Sequence, residues 1–292
     1  MKPPPFEWHR VHDAREALAL LAEHGDSAKP LAGGQSLIPA LNFRLARPAV
    51  LVDLNDAVDL AGIASTASGG VRIGAMTRQR EIERSRTIMT RVPLLAEAMP
   101  WVAHMQIRTR GTVGGSVAHA DPAAELPAVF AALGARYLLQ SRDGERWVNA
   151  DSFTTGLFAT ELRTGELLTS IDVPPQQPGT GHAFIEMARR HGDFALAGVA
   201  SSVTLDGSGQ CSSARVALFG IGDGPLVSAA AARTLTGFLP DDDLIREASA
   251  AVEAELDPPS DIHASAAYRK HLAGVLTRRA LTRAVERARS AS

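Results

Sequence analysis

The apolar positions of the N-terminal part of the chain alternate between helical and strand-like spacing. Ala and Leu recur at helical spacing over residues 13–24, where Asp13 is placed to cap a helix and Gly25 to end it. Apolar runs at 29–32 and 50–54 predict two buried strands, and the Pro-bounded stretch between them predicts a short helical piece. Strand, helix and strand in this order predict a small crossover unit.

After residue 58 the pattern changes to short strands and short helices. A hairpin is predicted over 63–75 around Gly69 and Gly70, and a second one over 136–148 around a turn at 142–144. Helical spacing begins at Thr77 and returns at 93–105 and 123–133, and an apolar run at 166–173 predicts one more strand.

The segment PPQQPGTG, residues 174–181, has the composition of a linker. Beyond it we expect strands at 183–188, 195–205 and 214–219, then helices at 226–235, 243–255 and 263–289. The predicted fold class is therefore α+β, with an N-terminal domain over 1–176 in two lobes, about 1–58 and 59–176. A C-terminal α+β domain follows over 177–292, with a three-stranded antiparallel sheet and helices.

Composition places the chain among ordinary globular proteins. Of 292 residues, 45% are hydrophobic and 21% are charged, and the formal net charge of −2 gives no indication of a nucleic-acid-binding face. The N-terminus lacks the apolar core of a secretory signal, and no apolar run approaches the ~20 residues that span a bilayer. We therefore expect a cytoplasmic protein without a membrane span.

The chain has one cysteine, Cys211, and nine histidines without metal-binding spacing. One thiol excludes an intrachain disulfide, an iron–sulfur cluster held by this chain alone and a cysteine-based zinc site. We expect no bound metal on this chain. Any redox chemistry would therefore use an organic cofactor or a metal on a partner.

Two glycine pairs occur in similar sequence motifs, each with two adjacent glycines and a serine at the end. The first glycine motif comprises Ala32, Gly33, Gly34, Gln35 and Ser36, and the second comprises Thr112, Val113, Gly114, Gly115 and Ser116. Successive N–H groups of such turns can point into one concavity and bind phosphate oxygens, with the serine hydroxyls as further donors. The alternative is that each pair marks only a tight turn. Neither motif has the lysine of a phosphate-cradling GxxxxGK[ST] loop, so nucleotide hydrolysis is not expected.

Other polar and glycine-rich stretches give weaker indications. Residues 214–224 form a strand followed by G-x-G-x-G, but Pro225 stands where a dinucleotide fingerprint needs glycine. Asp121 is placed to cap a helix, and Glu125 would lie in its first turn, where the helix dipole favours a carboxylate. Arg108 and Arg110 flank the second motif and either neutralise phosphate or are solvated.

With their flanks, the two motifs resemble a known family. The stretches AGGQSLIPALNFRLARPAVLVDLN (32–55) and QIRTRGTVGGSVAHADPAAELP (106–127) resemble the flavin-binding medium subunit of molybdenum hydroxylases. Carbon monoxide dehydrogenase medium subunits are the nearer type, and the flavin domain of xanthine dehydrogenase is more distant. ELLTSIDVP (166–174) and ARRHGDFALAGVA (188–200) continue the resemblance in order.

The resemblance implies a two-lobed FAD-binding domain of the PCMH or vanillyl-alcohol-oxidase type. FAD would lie extended between the lobes, with its pyrophosphate against both glycine motifs and the C-terminal domain beside the isoalloxazine. Glu125 would lie near the ribityl or phosphate region, Leu168 or Thr169 would contact adenine or flavin, and Asp193 would cap a turn or hold the flavin end. The chain departs from many relatives where they carry a lysine in the strand before RRxGD, because it has Ile185, Glu186 and Met187 there.

The resemblance also implies an electron relay. A large partner subunit would hold the molybdopterin and choose the substrate (carbon monoxide, a purine, an aldehyde or an N-heterocycle). A small partner would hold two two-iron clusters, the assembly would be a dimer of heterotrimers, and FAD on this chain would pass electrons to an external acceptor. No general acid or base is then expected here. Two alternatives stay open at this point: a stand-alone FAD-dependent oxidase or reductase, and a flavin-free assembly module.

Overall fold

The structure, a computed structural model, describes residues 2–291. Within these residues the strands form a three-stranded and a five-stranded sheet, a small hairpin and a four-stranded sheet. The strands are β1 (Glu7–Arg10), β2 (Ala28–Leu31), β3 (Val50–Asp53), β4 (Ile63–Ser65), β5 (Val71–Gly74), β6 (Arg136–Ser141), β7 (Gly144–Asn149), β8 (Thr154–Gly156), β9 (Ala159–Thr160), β10 (Leu167–Val173), β11 (Thr180–Ala188), β12 (Ala195–Leu205), β13 (Cys211–Phe219) and β14 (Leu226–Val227). The helices are α1 (Ala14–His24), α2 (Leu37–Asn42), α3 (Gln79–Arg84), α4 (Arg86–Arg91), α5 (Pro93–Ala98), α6 (Met105–Arg110), α7 (Val113–His119), α8 (Glu125–Ala132), α9 (Ala150–Phe153), α10 (Ala229–Leu235), α11 (Asp242–Glu255) and α12 (Ala266–Ser290).

The first lobe is built on the parallel sheet, in the order β1-β3-β2. Strands β2 and β3 with α2 between them form the predicted crossover unit. The α1 helix begins after Asp13, whose side chain accepts a hydrogen bond from the N–H of Glu16, and it packs Ala17 and Leu21 into the lobe's core. Because the strands are parallel, the carboxyl ends of β2 and β3 meet at one edge of the sheet.

The second lobe is built on the antiparallel sheet β4-β5-β10-β6-β7, with β10 at its centre. Both predicted hairpins of this region, β4–β5 and β6–β7, are present. The α8 helix is apolar on every side and is buried along its whole length, because it packs between this lobe and the C-terminal sheet. One hydrophobic core therefore extends from the second lobe into the C-terminal domain.

The C-terminal domain contains the sheet β11-β12-β13-β14. Its three long antiparallel strands are those predicted, and the short edge strand β14 is an addition. The α12 helix lies on one face, so close to β11 that a Cβ atom on Gly181 would overlap the backbone of Ala284. The α8 helix lies against strands of the same sheet, and Phe184 and Phe219 belong to the core that contains α8.

Two predicted helices differ from the structure, and two elements of the structure were not predicted. Of the helix expected over 93–105, α5 ends at Ala98 and a single 3-10 turn follows over Met99–Trp101; the chain then turns through Ala103 at a φ of 44° before α6 begins at Met105. The helix expected from residue 226 begins at Ala229, where Ser228 accepts a hydrogen bond from the N–H of Ala231, and Leu226–Val227 is a strand instead. Strand β1 and the hairpin β8–β9 were not predicted.

Two further findings concern the described residues as a whole. Between residues 2 and 291, no helix combines the length and the apolar character needed to cross a membrane. The same residues contain no group of three or more His, Cys, Asp or Glu side chains that could hold a metal ion.

Candidate cofactor-binding site

The first glycine motif leaves the carboxyl end of β2 and leads into α2. Gly34 has a φ of 72°, a conformation that favours glycine. The backbone N–H groups of Gly33, Gly34, Gln35 and Ser36 have no hydrogen-bond partner among residues 2–291. Four consecutive free donors at the edge of a parallel sheet are the arrangement that anion-binding loops use.

Three of these four residues, Gly33, Gly34 and Gln35, line a cleft of about 400 Å³, and Ser36 follows them directly. The cleft forms where the carboxyl ends of β2 and β3 meet. Its lining residues are Leu31, Ala32, Gly33, Gly34, Gln35, Ile38, Pro39, Asp53, Asn55 and Arg110. Four of the five residues of the first glycine motif thus line it, whereas no residue of the second motif does.

Asp53 and Asn55 belong to this site although sequence reasoning did not select them. The Nδ2 group of Asn55 donates to the carbonyl oxygen of Ala32 at 3.1 Å, which fixes the start of the first motif. The Oδ1 atom of Asn55 accepts from Arg78 at 2.7 Å, and Asp53 accepts from the indole N–H of Trp8 at 3.3 Å. The sequence feature that could have identified them is their position at the end of a predicted buried strand, because ligands bind beyond the carboxyl ends of parallel strands.

Two arginines give the cleft a positive charge. Burial lowers the pKa of Arg78, and the nearby charge of Arg110 lowers it further. Arg78 donates to the carbonyl oxygen of Arg110, whereas the exposed guanidinium of Arg110 has no partner among residues 2–291. Arg110 and Asp53 are the charged residues that line the cleft, and Arg78, which donates to Asn55 and is also acted on by the charge of Glu81, lies beside it. Because like charges repel in a partly buried site, this arrangement favours an anionic ligand.

Arg108, the other arginine beside the second motif, has a structural role. Its side chain is buried and pairs with Glu83 at 3.2 Å. It also donates to the carbonyl oxygen of Val102 at 2.8 Å. Of the two arginines that the sequence offered for phosphate binding, only Arg110 is available to a ligand.

The second glycine motif is not a turn. Gly114 and Gly115 lie in the first turn of α7, which Thr112 caps. The four N–H groups that open this helix are all engaged: Val113 with Thr77 O at 3.0 Å, Gly114 with Ala75 O at 2.8 Å, Gly115 with Thr112 Oγ1 at 3.1 Å and Ser116 with Thr112 O at 3.2 Å. The expectation of a second row of free backbone donors is therefore wrong. The Ser116 hydroxyl has no partner among residues 2–291 and remains available to a ligand.

The glycines of both motifs are required by the packing of the chain on itself. A Cβ atom on Gly114 would lie 2.8 Å from the Cα and carbonyl oxygen of Ala75. A Cβ atom on Gly33 would lie 2.8 Å from the Cα of Gly111, which immediately precedes the second motif. The two motifs thus pack side by side: a side chain at Gly33 would push the first motif away from Gly111, and one at Gly114 would push α7 away from Ala75.

Glu125 is the first residue of α8 and is 9% exposed. Burial raises its pKa to about 7, and the charge of Asp121 adds to the rise. Asp121 does not cap the helix as predicted. It accepts a hydrogen bond from the N–H of Ala123 at 2.9 Å in the turn before α8, and the helix begins three residues later than Pro122.

The other three candidate residues lie apart from the cleft lining. Leu168 is buried in the core of the second lobe, beside a bulge in β10. The carbonyl oxygen of Thr169 accepts from the N–H of Ala75 at 2.9 Å, which connects β10 to the residue under Gly114. Asp193 is exposed in the turn between β11 and β12, where its N–H donates to the carbonyl oxygen of Arg190. The roles of Glu125, Leu168, Thr169 and Asp193 toward a flavin stay predictions.

Comparison with known families decides the identity of the site. A family model described as the FAD-binding domain in molybdopterin dehydrogenase matches residues 4–176, and one described as the CO dehydrogenase flavoprotein C-terminal domain matches 182–284. The chain belongs to the family of FAD-binding medium subunits of molybdenum hydroxylases. It is accordingly an FAD-binding component of an oxidoreductase, with the FAD-binding domain followed by the C-terminal domain.

Relatives of this flavoprotein family are similar over nearly their whole length. The chain is 44% identical over 290 residues to the 6-hydroxypseudooxynicotine dehydrogenase complex subunit alpha of Paenarthrobacter nicotinovorans, covering 99% of this chain and 97% of that one. It is 40% identical to the carbon monoxide dehydrogenase medium chain of Afipia carboxidovorans, covering 99% and 100%. Among solved structures, a carbon monoxide dehydrogenase of Hydrogenophaga pseudoflava superposes with a TM-score of 0.95 at 38% identity, covering 98% and 99%. Quinoline 2-oxidoreductase of Pseudomonas putida 86 superposes with a TM-score of 0.92 at 37% identity, covering 99% of each chain.

The residues of the cleft fit an FAD pyrophosphate on structural grounds. The free N–H groups of the first motif supply donors without a competing partner, and the unpaired guanidinium of Arg110 supplies the counter-charge. The single cysteine, Cys211, is buried, and burial raises the pKa of its thiol to about 11, so it is not a reactive thiolate at neutral pH.

Proposed function

We propose that this chain is the electron-relay subunit of a heteromeric molybdenum hydroxylase, in which FAD passes electrons from a partner's iron–sulfur clusters to an external acceptor. The observation that carries the proposal is the row of free N–H groups at residues 33–36 beside the unpaired Arg110. Bound FAD supplies a centre that takes up one or two electrons, and the protein supplies position and charge.

The residues divide into those that bind and those that position. The first glycine motif would donate to the pyrophosphate, and Arg110 would balance its charge. Asn55 positions the motif through the carbonyl oxygen of Ala32 and orients Arg78. The second motif would contribute through the Ser116 hydroxyl, while Gly114 allows α7 to pack on Ala75 and Gly115 lies next to Ala32 of the first motif.

The cleft contains no group suited to acid–base catalysis on a substrate. Its lining includes neither histidine nor tyrosine, and its carboxylate, Asp53, is already bonded to Trp8 and Asn55. This supports a relay rather than a self-contained oxidase. We propose accordingly that no residue of this chain is catalytic in the substrate reaction.

The names of the relatives support a substrate that is chosen by another subunit. Chains of comparable similarity are named for 6-hydroxypseudooxynicotine, carbon monoxide and quinoline. Similar flavoprotein chains thus belong to enzymes named for chemically unrelated substrates. We propose that a large molybdopterin subunit and a small subunit with two two-iron clusters accompany this chain in a dimer of heterotrimers in the cytoplasm. We place the boundary between the two domains at 176–177 and that between the lobes near 58.

The test separates the relay from an oxidase. The purified chain is loaded with FAD and assayed with the complex's substrate and an artificial electron acceptor, first alone and then after assembly with the two partner subunits. The proposal predicts bound flavin absorbing near 450 nm in both samples and substrate oxidation only in the assembled complex. Substrate turnover by the flavin-loaded chain alone would contradict the proposal.

A further inference from the structure

The outward face of α7 begins beside the first glycine motif. Val113 and Val117 pack into the core of the second lobe, so the positions between them face away from it. Gly115 and Ser116 are half-buried there, and a Cβ atom on Gly115 would lie 3.6 Å from the Cβ of Ala32. This face therefore starts directly next to the first motif, and it carries the Ser116 hydroxyl, which has no partner among residues 2–291.

The same face ends at His119, the last residue of α7. Residues three and four positions apart on a helix lie on one side of it, so His119 follows Ser116 and Gly115 along this face. With the ordinary rise of a helix, His119 lies about 6 Å beyond Gly115 along the axis. Its side chain is exposed, and within the part of the chain that the structure describes its ring nitrogens have no hydrogen-bond partner.

A second aromatic side chain lies at this end of α7. The ring of Phe158 contacts that of His119, with centroids 5.2 Å apart and planes inclined at 40°. Phe158 and Leu157 form the tip of the β8–β9 hairpin, where they are 53% and 60% exposed. The hairpin has no charged residue over 154–160. The outward face of α7 therefore leads to an exposed apolar tip that contains an aromatic ring.

The backbone of Phe158 has a conformation that disfavours a large side chain. Its φ is 54°, at the second central position of the hairpin turn, where glycine is preferred. Strain of this kind persists only where the surrounding structure enforces it, and it is concentrated at functional sites. The base of the hairpin is fixed, because the N–H of Glu161 donates to the carbonyl oxygen of Phe153 at 2.8 Å and Thr154 packs on Gly224. The hairpin thus holds a half-exposed aromatic ring in a defined position.

These features match the flavin half of FAD. The pyrophosphate of FAD lies between the adenosine and a ribityl chain that bears the planar isoalloxazine ring. The cleft beside residues 33–36 has a lining drawn from residues 31–110, and this lining contains no aromatic side chain. The outward face of α7, by contrast, leads from the same motif past a free hydroxyl to two aromatic rings. A planar ring packs favourably on aromatic side chains, and a serine hydroxyl can hydrogen-bond to a ribityl hydroxyl.

We propose that His119 and Phe158 contact the isoalloxazine ring of bound FAD, with the ribityl chain along the outward face of α7 and the adenosine in the cleft. Phe158 packs on the ring, and His119 presents a free ring nitrogen to its polar atoms. This inference rests on the proposed function, because it starts from a pyrophosphate on residues 33–36. It adds the orientation of the cofactor and two residues that bind its flavin half.

Titration of the full chain with FAD and with ADP tests this assignment, because ADP has the pyrophosphate and the adenosine but no flavin. Phe158→Gly removes the ring and suits the positive φ, so the fold is retained. We expect this variant to bind FAD about tenfold more weakly and to shift the visible absorption of the bound flavin. We expect its affinity for ADP to equal that of the wild type. Phe158→Tyr keeps the ring and should keep both the FAD affinity and the spectrum.

His119→Ala should show the same pattern as Phe158→Gly. Phe238→Ala is the matched control, because it removes a similarly exposed aromatic side chain beside the start of β13, and it should change neither affinity. The assignment is overturned if Phe158→Gly and His119→Ala keep the wild-type FAD affinity and spectrum, or if they weaken FAD and ADP equally.

These measurements need neither substrate nor partner subunits. Substrate turnover by the chain alone would contradict the electron relay and leave the contacts of His119 and Phe158 with the flavin in place. Failure of the relay and failure of this assignment are therefore distinguishable.

Discussion

The N–H of Gly114 donates to the carbonyl oxygen of Ala75 at 2.8 Å, and a side chain on Gly114 would overlap Ala75 itself. Ala75 in turn is held by β10 through the carbonyl oxygen of Thr169. The second glycine motif is therefore a site of close backbone packing inside the FAD-binding domain. In the proposed function, binding of the anionic part of the cofactor falls mainly to the first motif, whose donors are free.

Gly114→Ala tests the close contact between Gly114 and Ala75. The added methyl group must displace the backbone at Ala75, so we expect the free energy of unfolding of the flavin-free chain to fall by about 1–3 kcal/mol. The measurement is urea denaturation without FAD. Gly207→Ala is the control, because a Cβ atom there meets nothing within 4 Å. A flavin-free Gly114→Ala chain as stable as the wild type would show that Ala75 does not exclude the side chain.

Arg110→Gln tests the counter-charge of the cleft. The guanidinium has no protein partner among residues 2–291, so its loss should leave the melting temperature of the flavin-free chain unchanged. We expect FAD to bind about tenfold more weakly, which is about 1.4 kcal/mol, and with less dependence on salt. The measurement is equilibrium titration with FAD at two salt concentrations. Arg142→Gln, on the exposed β6–β7 turn, is the control, and an equal loss in that variant would rule out a specific role for Arg110.

Asn55→Ala tests the support of the first motif. The substitution removes the donor to Ala32 and the acceptor of Arg78, so we expect FAD affinity to fall. We also expect the flavin-free chain to lose about 1–3 kcal/mol of stability, because three side-chain hydrogen bonds of a partly buried site are lost, those with Ala32, Asp53 and Arg78. Calorimetric FAD titration and thermal melting measure the two effects. Asn149→Ala, at an exposed position, should change neither, and unchanged affinity in Asn55→Ala would mean that the motif does not need this support.

Asp261→Asn tests the attachment of α12. Asp261 accepts from the buried Arg269 at 2.6 Å and from two backbone N–H groups, so its pKa lies well below the ordinary value of 3.8. A lowered pKa gives stability that is present above pH 3.8 and is lost as the pH falls toward the folded-state value. We therefore expect the variant to melt at a lower temperature at pH 7 and to lose less on acidification below pH 4.

Thermal melting from pH 7 to pH 3 measures this difference. Asp257→Asn, an exposed neighbour, serves as the control and should keep the wild-type profile. If Asp261→Asn loses as much stability in acid as the wild type does, the ion pair with Arg269 is not the source of the acid sensitivity.

Local signals made much of the fold predictable. The α1 helix, both hairpins of the second lobe and the three long strands of the C-terminal sheet follow from apolar spacing, caps and turn residues that act over a few positions. The early end of the helix expected over 93–105 was not predictable, because the positive φ of Ala103 depends on how the segment packs in three dimensions. Strand β1 was missed for a similar reason, since it exists only by pairing with β3.

In the candidate site, too, the residues that could be predicted were those marked by a local sequence pattern. Residues 32–36 were found because paired glycines before a helix are a local feature. Asn55 was missed because its importance comes from lying at the carboxyl end of β3, opposite Ala32, which is a property of the parallel sheet. The second motif was taken for a turn because two glycines disfavour a helix, whereas the carbonyl groups of Ala75 and Thr77 hold it in one.

The measurement that tests the central claim most directly is hydrogen exchange of the peptide spanning residues 28–42, with saturating FAD and with riboflavin, which lacks the phosphates. If the pyrophosphate lies on the free N–H groups of the first motif, FAD slows exchange at residues 33–36 and riboflavin does not. If FAD binds, as its absorption on the desalted chain would show, while exchange at residues 33–36 stays unchanged, the pyrophosphate lies elsewhere and the account of this site is wrong.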